Sequence, residues 1–149
     1  MIPNEIEVEV YNHQSAELIG DELLSRYVEM ANMALPMALG NPSNGGGVLP
    51  ELDLVEVSIV DDETIAQVHV DFMDIPGATD VITFAHGEIV ISAETARSYG
   101  ESYGNKFEKE LMLYIIHGLL HLSGHEDAEE ADRETMEKIQ FAILEKVWS

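Results

Sequence analysis

The chain has 149 residues, 46% hydrophobic and 24% charged, enough for one globular domain and too few for two comfortable ones. It contains no cysteine, so disulfides and thiolate metal sites are excluded and any metal must be held by histidine and carboxylate. Seven Lys and Arg stand against 29 Asp and Glu, a formal charge of -22, so the surface is a solvated acidic one that repels phosphate backbones at long range.

The first residues, Met-Ile-Pro-Asn-Glu-Ile-Glu, hold no basic region followed by an apolar run, and no apolar stretch approaches a membrane span. The expectation is a cytoplasmic protein that does not enter a membrane. Ile6 to Tyr11 alternate between apolar and acidic residues, the pattern of a first or edge strand with one wet face. Ser15 is placed to cap a helix whose apolar positions Ile19, Leu23, Tyr27, Met30 and Ala34 recur at helical spacing, with Pro36 beyond it. Gly40 to Pro50 gathers turn formers and reads as a flexible loop; its glycine triplet lacks the Lys-Ser/Thr ending of a phosphate loop, so no nucleotide cofactor is expected.

Leu52 to Val60 reads as a buried strand, after which Asp61 or Asp62 caps a short helix reaching about Phe72. Asp74-Ile-Pro-Gly-Ala is a turn. Val81 to Phe84 and Glu88 to Ser92 are β-branched runs close enough to form a hairpin, and Ser92 or Ser98 can cap helical pieces after it. Asn105 with Glu108 resembles a capping box opening a helix that is apolar nearly all round from Leu111 to Leu122, so this helix should run through the core. A last amphipathic helix, about Ala128 to Trp148, carries Met136, Ile139, Ile143 and Val147 on one stripe, with Trp148 as its hydrophobic anchor.

The chemistry concentrates in His117-Gly-Leu-Leu-His121-Leu-Ser-Gly124-His125-Glu-Asp127. Histidines four residues apart on a helix share a face, so both imidazoles can point at one ion. Two imidazoles in an apolar helix also need a partner, and an ion satisfies both. Gly124 can take the left-handed conformation that ends a helix and turns the chain back. Asp127 and His125 compete for the third ligand position; Asp127 has room to swing back, whereas His125 follows Gly124 too closely. That leaves two nitrogens, one oxygen and an open position, the pattern of a catalytic zinc site, with His125 at the mouth as a proton shuttle. A zinc peptidase would carry a glutamate base directly after the first histidine, and here that residue is Gly118. Asp80 and Glu88, flanking the short strand pair, are the candidates for a carboxylate base from elsewhere.

His117-Gly-Leu-Leu-His121-Leu-Ser-Gly124, with Ala78-Thr79-Asp80-Val81-Ile82-Thr83-Phe84, Gly87 to Ser92 and Phe107 to Leu111, resembles the YbeY family of single-domain bacterial endoribonucleases. The resemblance runs from about Leu52 to the C-terminus. It implies that His117 and His121 are the first two zinc ligands and that Asp127 stands where the family has its third, a histidine. It also implies an arginine after an aromatic residue, where this chain has Phe72-Met73.

The resulting expectation is a single α+β domain over 1–149, a small mixed sheet of about four strands packed with helices, the metal on a central helix. The resemblance implies one zinc ion per chain and single-strand RNA cleavage in 16S rRNA 3'-end maturation. Its implied partners are ribosomal RNA and small-subunit ribosomal proteins or assembly factors. The alternatives are a ribosome-assembly factor with a structural metal and no catalysis, or a metal-dependent hydrolase of peptides or small molecules.

Overall fold

The computed structural model describes residues 6–43, 46–104 and 106–148. Its strands are β1 (Glu7–Asn12), β2 (Leu54–Val60), β3 (Val81–Phe84) and β4 (Glu88–Ser92), and its helices α1 (Asp21–Leu39), α2 (Asp62–Met73), α3 (Ala93–Tyr103), α4 (Phe107–Leu122) and α5 (Glu130–Val147). The strands form one mixed sheet in the order β1-β2-β4-β3. β2 runs parallel to β1 and β4, with Val57 opposite Val10 and Ile89, and β3 closes the sheet antiparallel to β4, with Ile82 opposite Val90. The α+β expectation is met.

Period-two alternation decides which face each strand residue takes. Val57, Ile59, Ile89 and Ile91 join the main core with α1, α3, α4 and α5, while Val60, Val90 and Ile82 turn to the other face and meet Ile65 of α2. α4 is the centre of the main core: eleven of its residues are buried, Leu111, Ile115, Ile116 and Leu119 completely. Each such side chain contributes roughly 1.5–3 kcal/mol on leaving water. The close approach of this helix to the sheet is set by Gly118, where a Cβ atom would lie 2.7 Å from the Ile89 side chain.

The edge strand β1 is tied by a side chain instead of another strand. Asn32 of α1 accepts from the Val8 N–H at 2.9 Å and donates to the Val8 carbonyl at 3.0 Å, occupying groups a free edge would expose. α1 departs from expectation at both ends. It starts at Asp21 after Gly20 instead of at Ser15, because Gln14 organises the preceding turn through Asn12 and Glu17. Pro36 lies inside it, near enough to the C-terminus that the helix continues for only one more turn.

Asp61 caps α2, accepting from the Thr64 N–H at 2.8 Å, and Ser92, the one of the two candidate serines that caps, accepts from the Thr95 N–H at 3.2 Å. The two helix starts are locked together, since Asp62 accepts from Thr95 Oγ1 at 2.6 Å while its own N–H donates to Glu94 at 2.9 Å. Of the expected capping box, Asn105 lies outside the described residues, and Lys106 makes no side-chain cap to α4. Trp148 packs on the main core with the Arg26 guanidinium 5.2 Å above its ring, as the anchor reading required.

Candidate metal centre

α4 ends at Leu122, and Gly124, at φ +97°, reverses the chain with its N–H on the His121 carbonyl and the His125 N–H on the Leu120 carbonyl, each at 3.0 Å. The segment after α1, read from sequence as a flexible loop, clasps this turn. Ser43 N–H donates to the Ser123 carbonyl at 3.1 Å and Ser123 Oγ to the Ala38 carbonyl at 3.0 Å. A Cβ on Gly47 would lie 2.0 Å from the Leu122 carbonyl oxygen, so backbone meets backbone with no room for a side chain.

The clasp explains a correction. His125 is not at the mouth of a cleft; it is only 5% exposed, and its Nε2 donates to the Asn41 carbonyl at 2.6 Å. Held there, it braces the turn instead of lining the cleft. Its backbone carbonyl does serve the site, accepting from His121 Nδ1 at 2.9 Å.

His117 and His121 meet at their Nε2 atoms, 3.1 Å apart, and the Asp127 carboxylate stands 3.3 Å from the first and 3.7 Å from the second. The turn therefore returns Asp127 to the histidine pair. The two Nδ1 atoms carry the ring protons: His121 donates to the His125 carbonyl, and His117 donates to Gln140 Oε1 of α5 at 2.9 Å. Burial, then the neighbouring His117, holds the pKa of His121 below the ordinary histidine value, keeping its ring neutral at pH 7.

With the Nδ1 atoms turned to their carbonyl partners, the two Nε2 atoms thus face each other across 3.1 Å beside a carboxylate. Three acceptors at such range repel unless a cation lies among them. The spacing suits one: donors at about 2.0–2.1 Å from a tetrahedral ion stand roughly 3.4 Å apart. His117, His121 and Asp127 are the metal-capable cluster among the described residues, and the set of two imidazoles and one carboxylate fits zinc.

The cluster lines a cleft of about 600 Å³ together with Thr79 to Thr83. Asp80 lines it, its carboxylate accepting from the Val81 N–H at 2.8 Å. Glu88, the other candidate base, is not among the lining residues; it accepts from His86 at 3.2 Å at the turn of the hairpin. Met73 lines the cleft at the position where the resemblance implied an arginine. A side recess of about 210 Å³, shared by Asp80, His117 and Asp127, is lined also by Tyr114, Arg133 and Gln140. Sequence reading missed Gln140. Its signal was a polar residue at i+4 from Met136 and i−4 from Leu144, on the inward stripe of α5, where a buried amide needs a partner.

A protein-family model described as endoribonuclease YbeY matches residues 10–148, extending the resemblance well before Leu52. Relatives named endoribonuclease YbeY include one from Desulfitobacterium hafniense, 34% identical over 111 residues that cover 62% of this chain and 71% of the relative. Another, from a Mycobacterium species, is 28% identical and covers 93% of this chain and 82% of its own length. The solution structure of a Thermotoga maritima protein superposes with a TM-score of 0.64 at 27% identity, covering 95% of this chain and 89% of that one. With nearly its whole length matched by the family model and its fold shared with that structure, the chain belongs to the YbeY family.

Proposed function

We propose that this chain is a zinc-dependent endoribonuclease that cuts single-stranded RNA and acts in 16S rRNA 3'-end maturation. Membership of the YbeY family and relatives named endoribonuclease support the RNA-cleaving activity. The observation that carries the metal dependence is the pair of imidazole lone pairs turned on each other beside Asp127 at the floor of an open cleft.

A divalent cation held by His117, His121 and Asp127 would supply Lewis acidity for phosphodiester cleavage. The chain's own residues do the rest. Gln140 and the His125 carbonyl fix the tautomer and angle of both rings. The Asp80 carboxylate, which lines the same cleft as the cluster, takes the proton from an attacking water as the water oxygen bonds to phosphorus. The phosphorus–oxygen ester bond then breaks, and the leaving oxygen takes a proton back.

The non-catalytic reading, a ribosome-assembly factor with a structural ion, draws on the charge of -22 and on Met73 in the cleft. Against it, structural zinc sites are closed by four protein ligands, and here three converge with Asp127 43% exposed to an open cleft. The peptidase reading is disfavoured because the base position is Gly118, where an added Cβ would lie 2.7 Å from the Ile89 side chain. Partners follow from the reading: ribosomal RNA, and basic small-subunit proteins or assembly factors suited to an acidic surface. No helix among the described residues is long and apolar enough to cross a membrane, in keeping with the cytoplasmic place this role requires.

The test is cleavage of a single-stranded RNA oligonucleotide by metal-loaded protein. Cleavage should stop on chelation, return with zinc, and be absent from His117→Ala. Unimpaired cleavage by a folded His117→Ala protein, together with undetectable bound metal, would sink the proposal.

A further inference from the structure

Resting on the endoribonuclease reading, we propose that Arg133 is a catalytic residue that neutralises the transferring phosphoryl group. The need for it follows from the charges at the site. As ligands, His117 and His121 would be neutral imidazoles and Asp127 a carboxylate, so a divalent ion held by them would leave a net charge of +1. The Asp80 carboxylate in the same cleft offsets that charge while it is ionised, and the arriving phosphodiester adds one negative charge. In the transition state Asp80 has taken the proton of the attacking water, so a site of +1 faces five oxygens around phosphorus with about two negative charges. One further positive charge is required.

The chain has seven Lys and Arg to provide it, and the structure places six elsewhere. Arg97 is bonded to Glu17 and covers Phe107, and Arg26 covers Trp148. Lys106 lines a hollow beside Trp148, Lys109 one beside Phe141, and Lys138 and Lys146 one beside Met37 and Asn41. The main cleft itself is lined by Asp80, Glu126 and Asp127 and by no Lys or Arg. Among the described residues, Arg133 is the one Lys or Arg that lines the adjoining recess, together with the site residues His117, Asp127 and Asp80 and with the carboxylates Glu110 and Glu137. Its place follows from the chain: α5 begins at Glu130, just past Asp127, so Arg133 sits in the opening turns of the helix that follows the ligand. A guanidinium is always charged and presents paired donors that match two phosphoryl oxygens.

Arg133 is exposed and outside the core, so Arg133→Gln should fold like wild type, which a thermal melt checks. On a single-stranded RNA oligonucleotide, the zinc-loaded Arg133→Gln protein should keep its metal while kcat falls about 100-fold with a smaller change in KM, and Arg133→Lys should recover part of the loss. The charge count adds a second demand. In an Asp127→His background the site gains one positive charge, so Arg133→Gln should cost at least several-fold less there. If wild type cleaves and Arg133→Gln matches its kcat, or if the loss is the same in both backgrounds, the inference is overturned while the endoribonuclease reading stands. If wild type and variants alike fail to cleave, the reading falls and the inference with it.

Discussion

The side chain that most narrowly controls the site is Gln140. Its amide oxygen takes the Nδ1 proton of His117 at 2.9 Å and so leaves the Nε2 lone pair for the ion. Gln140→Leu keeps the volume and removes the acceptor; zinc affinity should fall by about 10–100-fold with the fold intact, measured by competition with a chelator. The second residue-scale prediction concerns pH. The folded pKa of His121 is depressed, by burial first and His117 second. As pH falls through the unfolded value of about 6.5, the unfolded chain takes up a proton that the folded chain does not, so the metal-free protein loses stability on acidification. Urea melts of metal-free wild type and His121→Asn should diverge in slope between about pH 7.5 and 5.5, the variant showing the weaker pH dependence; parallel curves would refute this. The histidine pair and its carboxylate were legible because helical spacing and a glycine stop are local. Gln140 was not, because its meaning depends on a residue 23 positions away.

At the scale of elements, the unit that builds the site is α4 with the turn that ends it. Gly118 brings this helix onto β4, and Gly118→Ala would place a methyl 2.7 Å from two carbons of Ile89. Overpacking of that kind costs roughly 1–3 kcal/mol, so the thermal midpoint should drop by several degrees; an unchanged midpoint would show that Ile89 yields freely. The strands, α2 and α4 were readable from alternation, from Asp61 or Asp62 as a cap and from an all-round apolar helix, each a pattern within one segment. The clasp over the Gly124 turn was not. Polar turn formers between Gly40 and Pro50 look the same whether a loop is free or, as here, bonded through Ser43 and Asn41 to Ser123 and His125. The start of α1 was misplaced for a similar reason: Ser15 has the chemistry of a cap, but Gln14 already satisfies the turn around it.

Across the whole molecule, a charge of -22 on 149 residues sets like charges against one another in the folded state. Raising salt from about 0.05 M to 0.5 M shortens the screening length from over 10 Å to under 5 Å, so the melting temperature should rise with ionic strength; a flat or falling response would contradict this account. The same charge explains why an RNA-cleaving reading must rest on the local site, with its cation and Arg133, and not on a basic surface. The central claim is that His117, His121 and Asp127 form a single metal centre, and it is tested most directly by counting metal. Elemental analysis of purified protein should find about one zinc per chain in wild type, and a marked loss in a folded Asp127→Ala protein after dialysis. Full metal retention by Asp127→Ala, or failure of the folded wild-type protein to bind added zinc, would contradict the claim.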